Sequence, residues 1–72
     1  MNEFNNISNK AISTLIDNWI NGRYAERNRQ ILKRRIIDGI CFEPLAEEFD
    51  ISVRQCKRIV YTCTSKIIKH IQ

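Results

Sequence analysis

The chain has 72 residues, 43% hydrophobic and 28% charged, with a formal net charge of +4. That describes one globular domain near the lower size limit for independent folding and leaves no room for a second module. No apolar run approaches the roughly 20 residues that span a bilayer. The polar start (Asn2, Glu3, Asn5, Asn6) also lacks the basic-then-apolar pattern of a secretory leader, so the expectation is a cytoplasmic protein without a membrane partner.

Two glycines and one proline leave few breaks, and apolar residues recur at helical spacing throughout, which predicts an all-α, small four-helix bundle with no strands. The first helix is expected over 8–21, with Ala11, Ile12, Leu15, Ile16, Trp19 and Ile20 as one stripe. Trp19 reads as a core anchor docking this helix, and Asn21-Gly22 as its left-handed cap. The second helix is expected over 25–38, with Ile31, Leu32, Ile36 and Ile37 inward, the arginines outward, and Gly39 as C-cap. A short third helix over 42–49 takes Pro44 in its first turn, where a missing N–H does no harm, and Phe42 reads as core. The fourth, over 53–70, carries Cys56, Ile59, Val60, Cys63, Ile67 and Ile71 along one face.

The stretch 42–71 reads as a helix-turn-helix, a steep helix pair around a tight turn. Ala46 is the small residue where the axes come closest, and Leu45, Phe49, Ile51, Cys56 and Ile59 form the apolar wedge. Ser52-Val53-Arg54-Gln55 matches a capping box, and Ile51 with Cys56 can close a hydrophobic staple around it. The single domain, 1–72, thus divides into a docking helix (8–21) and a helix-turn-helix unit (25–72).

Charge is unevenly spread. Arg23, Arg27, Arg29, Lys33, Arg34 and Arg35 face only Glu26; Asp38, Glu43, Glu47, Glu48 and Asp50 form an acidic block. From Ile51 onward Arg54, Lys57, Arg58, Lys66 and Lys69 meet no acid. A basic last helix behind an acidic support is the pattern of a DNA-facing element. Helical geometry projects Val53, Arg54, Lys57, Arg58 and Tyr61 away from Cys56, Ile59 and Cys63. Ser52, Val53, Arg54, Lys57, Arg58 and Tyr61 are therefore the expected base-reading set. Arg54 and Arg58 suit bidentate bonds to guanine, and Val53 suits a thymine methyl. Arg34, Arg35 and Lys66 are the expected phosphate contacts, and within the base-reading set Lys57 is better placed for a phosphate than for a base.

Other residues read more plainly. The three cysteines are odd in number, and Cys56 and Cys63 lie a heptad apart, too far to bond each other; they read as small buried hydrophobes, with Cys41 the one placed for reactivity. His70 is the one histidine, so no metal site is expected, and its place near a helix end suits the dipole. Tyr24 and Phe4 read as interface residues. Glu47 and Glu48 are adjacent, hence about 100° apart on a helix, and make no carboxylate pair. No nucleophile-base pair and no Gly-rich phosphate loop is present, so no catalysis, cofactor or small-molecule substrate is expected.

Residues 25–71 resemble region four of the sigma-70 family of RNA polymerase sigma factors, the part that reads the upstream promoter element. The resemblance rests on Arg27-Asn28-Arg29-Gln30-Ile31-Leu32-Lys33-Arg34-Arg35, Asp38-Gly39, Leu45-Ala46-Glu47-Glu48-Phe49-Asp50-Ile51-Ser52 and Val53-Arg54-Gln55-Cys56-Lys57-Arg58-Ile59. With its Trp19 helix the chain also looks like the small stand-alone sigma-like proteins of bacteria and their phages. It departs from the pattern at Cys41 (usually a Ser or Thr cap), Pro44 (usually acidic), Asp50 (usually Gly) and Val53 (usually polar). Asp tolerates the left-handed conformation the turn needs. The resemblance does not extend to the polymerase-binding and promoter-melting regions. It therefore implies a DNA-binding transcription regulator, or one half of a split sigma-like pair, acting on double-stranded DNA. RNA polymerase is a further partner it brings in; a second copy of the chain, joined through the first helix or the C-terminal end, is expected because one helix-turn-helix contacts few base pairs. The alternative expectation is a protein-interaction module that grips RNA polymerase or another regulator, with weak or no DNA binding of its own.

Overall fold

A computed structural model describes residues 7–70, which form an all-α bundle of four helices and no strands. They are α1 (Asn9–Trp19), α2 (Ala25–Leu32), α3 (Phe42–Glu48) and α4 (Val53–Ile68). The expected Ile71 and Phe4 contacts lie outside the described residues.

Helix α1 starts where Ser8 Oγ accepts from the Ala11 N–H at 3.1 Å, satisfying one of the unpaired donors of the first turn. Ile12 and Ile16 are buried beneath it. The helix ends earlier than the cap at Asn21-Gly22 predicts. Ile20 turns extended (φ −98°, ψ 104°) and drops its side chain into the core, while Gly22 takes φ +111° two residues later. Burying Ile20 outweighs continuing the helix. The freed end is held from α2, where Arg29 donates through Nε to the Ile20 carbonyl at 2.8 Å and through Nη2 to Asn21 Oδ1 at 3.2 Å. Lys33 adds an ion pair to Asp17 at 2.8 Å. Arg29 is thus turned toward α1 and half-buried, not outward.

Helix α2 runs directly into a widened π-type turn over Lys33–Ile37. The Asp38 N–H donates to the Lys33 carbonyl at 3.2 Å, and the Ile40 N–H to that of Arg34 at 3.1 Å. Gly39, at φ +73°, reverses the chain as its expected capping role requires. A π turn holds more residues than an α turn, so every side chain after Leu32 is rotated relative to a continuous helix. Ile31 and Leu32 stay fully buried; Ile36 and Ile37 are half-buried at the core's edge.

Helix α3 begins at Cys41, which caps with its carbonyl and not its side chain. Pro44 is its third residue, and Leu45 and Ala46 are buried. The turn to α4 closes through the Ile51 N–H, which donates to the Ala46 carbonyl at 3.0 Å, with Asp50 left-handed at φ +57°. Ser52 Oγ then accepts from the Gln55 N–H at 3.0 Å. The return bond of a full capping box is not made among the described residues, and Gln55 stays in solvent. Helix α4 buries Cys56, Ile59, Val60, Cys63 and Ile67 against α1, α2 and α3, and ends two residues before the predicted limit of 70. One core cluster joins all four helices.

Candidate nucleic-acid interface

Helix α4 separates two chemistries. Its stripe from Cys56 to Ile67 is buried, and Arg54, Lys57, Arg58 and Tyr61 stand exposed on the other side, Tyr61 with 60% of its surface free. The Ser52 cap fixes where the helix begins, and so fixes the angular position of Arg54 and Arg58, one turn apart. Ser52 is exposed but its hydroxyl oxygen already accepts from Gln55. Val53 is only half-exposed, because it packs against the core as well as facing outward. Lys66 is exposed but lies about 120° round the helix from Arg54, off the face that carries the arginines.

Ion pairing sorts the basic residues. Among the described residues, carboxylates engage Lys33 and Arg34, and none lies within ion-pair distance of Arg35, Arg54, Lys57, Arg58 or Lys66. Arg34, expected at a phosphate, is instead held by two carboxylates. Its Nε and Nη2 donate to Glu48, and its Nη1 to Asp38 at 3.1 Å. These bonds, Glu48 first, push the guanidinium pKa further up. Within the π turn, Arg34 reaches the end of α3 at Glu48, whereas Arg35 lies at that helix's start, on Phe42.

Arg35 belongs to a cluster that periodicity alone does not reveal. Its guanidinium carbon lies 4.5 Å from the centroid of the Phe42 ring, and Nη1 donates to the Ile40 carbonyl at 3.2 Å. Lys57 Nζ lies 5.7 Å from the same centroid. Tyr61 meets the ring edge-on, with centroids 6.0 Å apart at 71°. Phe42 is half-buried and packs against the core cluster from its edge, so the expected core contact is made while part of the side chain remains at the rim. The signal for this cluster in the sequence is the one-turn spacing of Lys57 and Tyr61; the place of Phe42 beside them depends on how α3 packs on α4.

Elsewhere, Tyr24 is 56% exposed and flanked by Arg27 and Arg23, whose guanidinium carbons lie 4.7 and 5.9 Å from its ring centroid. Trp19 is not a core anchor. It is 43% exposed and stacks on His70 at 3.6 Å with 8° between the rings, joining the ends of α1 and α4. His70, near the helix end as expected, accordingly serves as a stacking partner. Cys41 is exposed; Cys56 and Cys63 are buried, and burial raises both their thiol pKa values against the smaller opposing pull of Arg35 and Lys66 respectively.

Among the described residues no group of three or more His, Cys, Asp or Glu is placed to hold a metal, and no helix is long and apolar enough to cross a membrane. No protein-family model matches the chain, and comparison with curated proteins and with solved structures finds no match.

Proposed function

We propose that this chain is a sequence-specific, double-stranded-DNA-binding transcription regulator, non-enzymatic and cytoplasmic, that lays α4 in the major groove. What supports this reading is that Arg54, Lys57 and Arg58 stand exposed together on the solvent face of a well-capped helix, with no carboxylate at ion-pair distance among the described residues, where Lys33 and Arg34 are held by acids. Exposed, uncompensated guanidinium groups one helical turn apart suit guanine O6 and N7, each good pair contributing roughly 1–3 kcal/mol of discrimination. The helix–turn–helix order of α3 and α4 and the sequence resemblance to sigma region four support the same reading. On this reading Arg54 and Arg58 read bases, Val53 offers a methyl contact, and phosphate contacts position the domain.

A second reading is a protein-interaction module that grips RNA polymerase or another regulator. Glu43 and Glu47 favour it: both are exposed, and neither joins an ion pair among the described residues. A salt titration separates the two. DNA binding through several phosphates weakens with a slope of about −0.9 in log affinity per phosphate neutralised. Steep loss of duplex binding with salt supports the regulator; no duplex binding at low salt, with polymerase retained on the immobilised protein, supports the module.

A further inference from the structure

Arg34 and Arg35 are sequence neighbours with opposite fates. Arg34 is surrounded by Glu48 and Asp38, while Arg35 has no carboxylate partner among the described residues and rests on Phe42. Lys57, equally without one, rests on the same ring from α4. The two charges therefore lie no farther apart than the sum of their distances to that ring. Two like charges on one aromatic platform, with no acid at ion-pair distance among the described residues, repel each other, and the attraction of each to the ring opposes that repulsion. The bond from Arg35 Nη1 to the Ile40 carbonyl further fixes the guanidinium plane and leaves its remaining N–H groups available.

We infer that Phe42 is a positioning residue that sets Arg35 and Lys57 as a paired clamp for neighbouring phosphates of one DNA strand, with Tyr61 held beside them. This rests on the DNA-binding reading above and refines it. A duplex strand presents one phosphate charge per about 3.4 Å of axis, so two cations no more than about 10 Å apart can reach phosphates of one stretch of backbone. Lys57 and Tyr61 then act on the backbone, and base reading falls to Arg54 and Arg58. Phe42 touches no nucleic acid in this scheme; it acts through the two side chains above it.

The test is fluorescence anisotropy of the full chain with an enriched duplex and a scrambled one, across a salt series. Phe42→Leu keeps an apolar side chain and removes the ring. It weakens binding to both duplexes alike, by about five-fold at physiological salt for each phosphate left unneutralised, and flattens the salt slope by about 0.9 per phosphate. The preference for the enriched duplex is kept. Phe42→Tyr restores the wild-type slope, which a purely structural role would not require. Lys57→Gln and Arg35→Gln, at positions outside the core, each flatten the slope by about 0.9 independently of any folding effect of the Phe42 changes. A wild-type slope in Phe42→Leu, a slope in Phe42→Tyr as flat as in Phe42→Leu, or unchanged slopes in both charge variants overturns the clamp while leaving the DNA reader standing. Absence of binding by the wild-type chain to either duplex at low salt overturns both.

Discussion

Arg34 grips Glu48 with a forked pair of hydrogen bonds, Nε to Oε2 at 3.1 Å and Nη2 to Oε1 at 2.9 Å, across a sequence separation of 14 residues. Glu48 is the last residue of α3, so the pair fastens that helix to the π turn and holds the base of the turn into α4. Both side chains are about 40% exposed, so solvent and salt screen the interaction. Arg34→Ala is expected to lower the melting temperature modestly, and less so at high salt. The salt slope of DNA binding is expected to stay at the wild-type value, since Arg34 is already neutralised. A flattened slope in this variant returns Arg34 to the phosphate backbone.

Asp50 carries the turn before α4 at φ +57°, the one left-handed non-glycine among the described residues. A β-branched side chain there meets the following carbonyl, so Asp50→Val is expected to destabilise the domain by about 1–2 kcal/mol. Asp50→Gly, which removes the clash but frees the unfolded chain, is expected to be near neutral. Urea unfolding of the two variants measures the difference.

Where a local rule decides, the sequence is readable. Ser8 and Ser52 announce the starts of α1 and α4, and both hydroxyl oxygens accept the backbone N–H three residues on. The buried stripe of α4 follows directly from its 3.6-residue period. Where two elements compete for one position, it is not. Trp19 and Ile20 are adjacent apolar residues at the end of one stripe; periodicity cannot tell that Ile20 will leave the helix to fill the core while Trp19 remains half-exposed on His70. Nor does a continuous helical pattern over 25–38 reveal the π turn, so the sorting of Arg34 toward Glu48 and Arg35 toward Phe42, at opposite ends of α3, is invisible in it. For the candidate site, Arg54, Lys57, Arg58 and Tyr61 emerge exposed as the pattern predicts, whereas Phe42 enters only through tertiary packing.

Ile16 and Trp19 give a direct measure of that difference. Ile16 is fully buried, and Ile16→Ala is expected to lose about 2–5 kcal/mol, enough to unfold much of so small a domain. Trp19→Ala removes a surface stack, and the aromatic pairing itself is of order 0.5–1.5 kcal/mol. Equal losses in the two variants would return Trp19 to the core.

The buried thiols make stability depend on pH. Burial raises the pKa of Cys56 and Cys63 above their ordinary value, so in the alkaline range the unfolded chain binds fewer protons than the folded one. Their contribution is fully present below the ordinary thiol pKa and is lost as pH rises through the raised folded values. A Cys56→Ala, Cys63→Ala double variant is expected to lose this part of the alkaline fall in stability. In the folded wild type, a thiol reagent is expected to modify exposed Cys41 readily and the other two only on opening.

Base reading by α4 through the proposed pair Arg54 and Arg58 is open to one decisive experiment, a selection of random duplex DNA on the purified protein at low and moderate salt. The expected result is an enriched motif that persists at moderate salt, with Arg54→Ala or Arg58→Ala losing roughly 1–3 kcal/mol of preference for it. Binding with no enriched motif, or a motif bound equally well by both arginine variants, would contradict it.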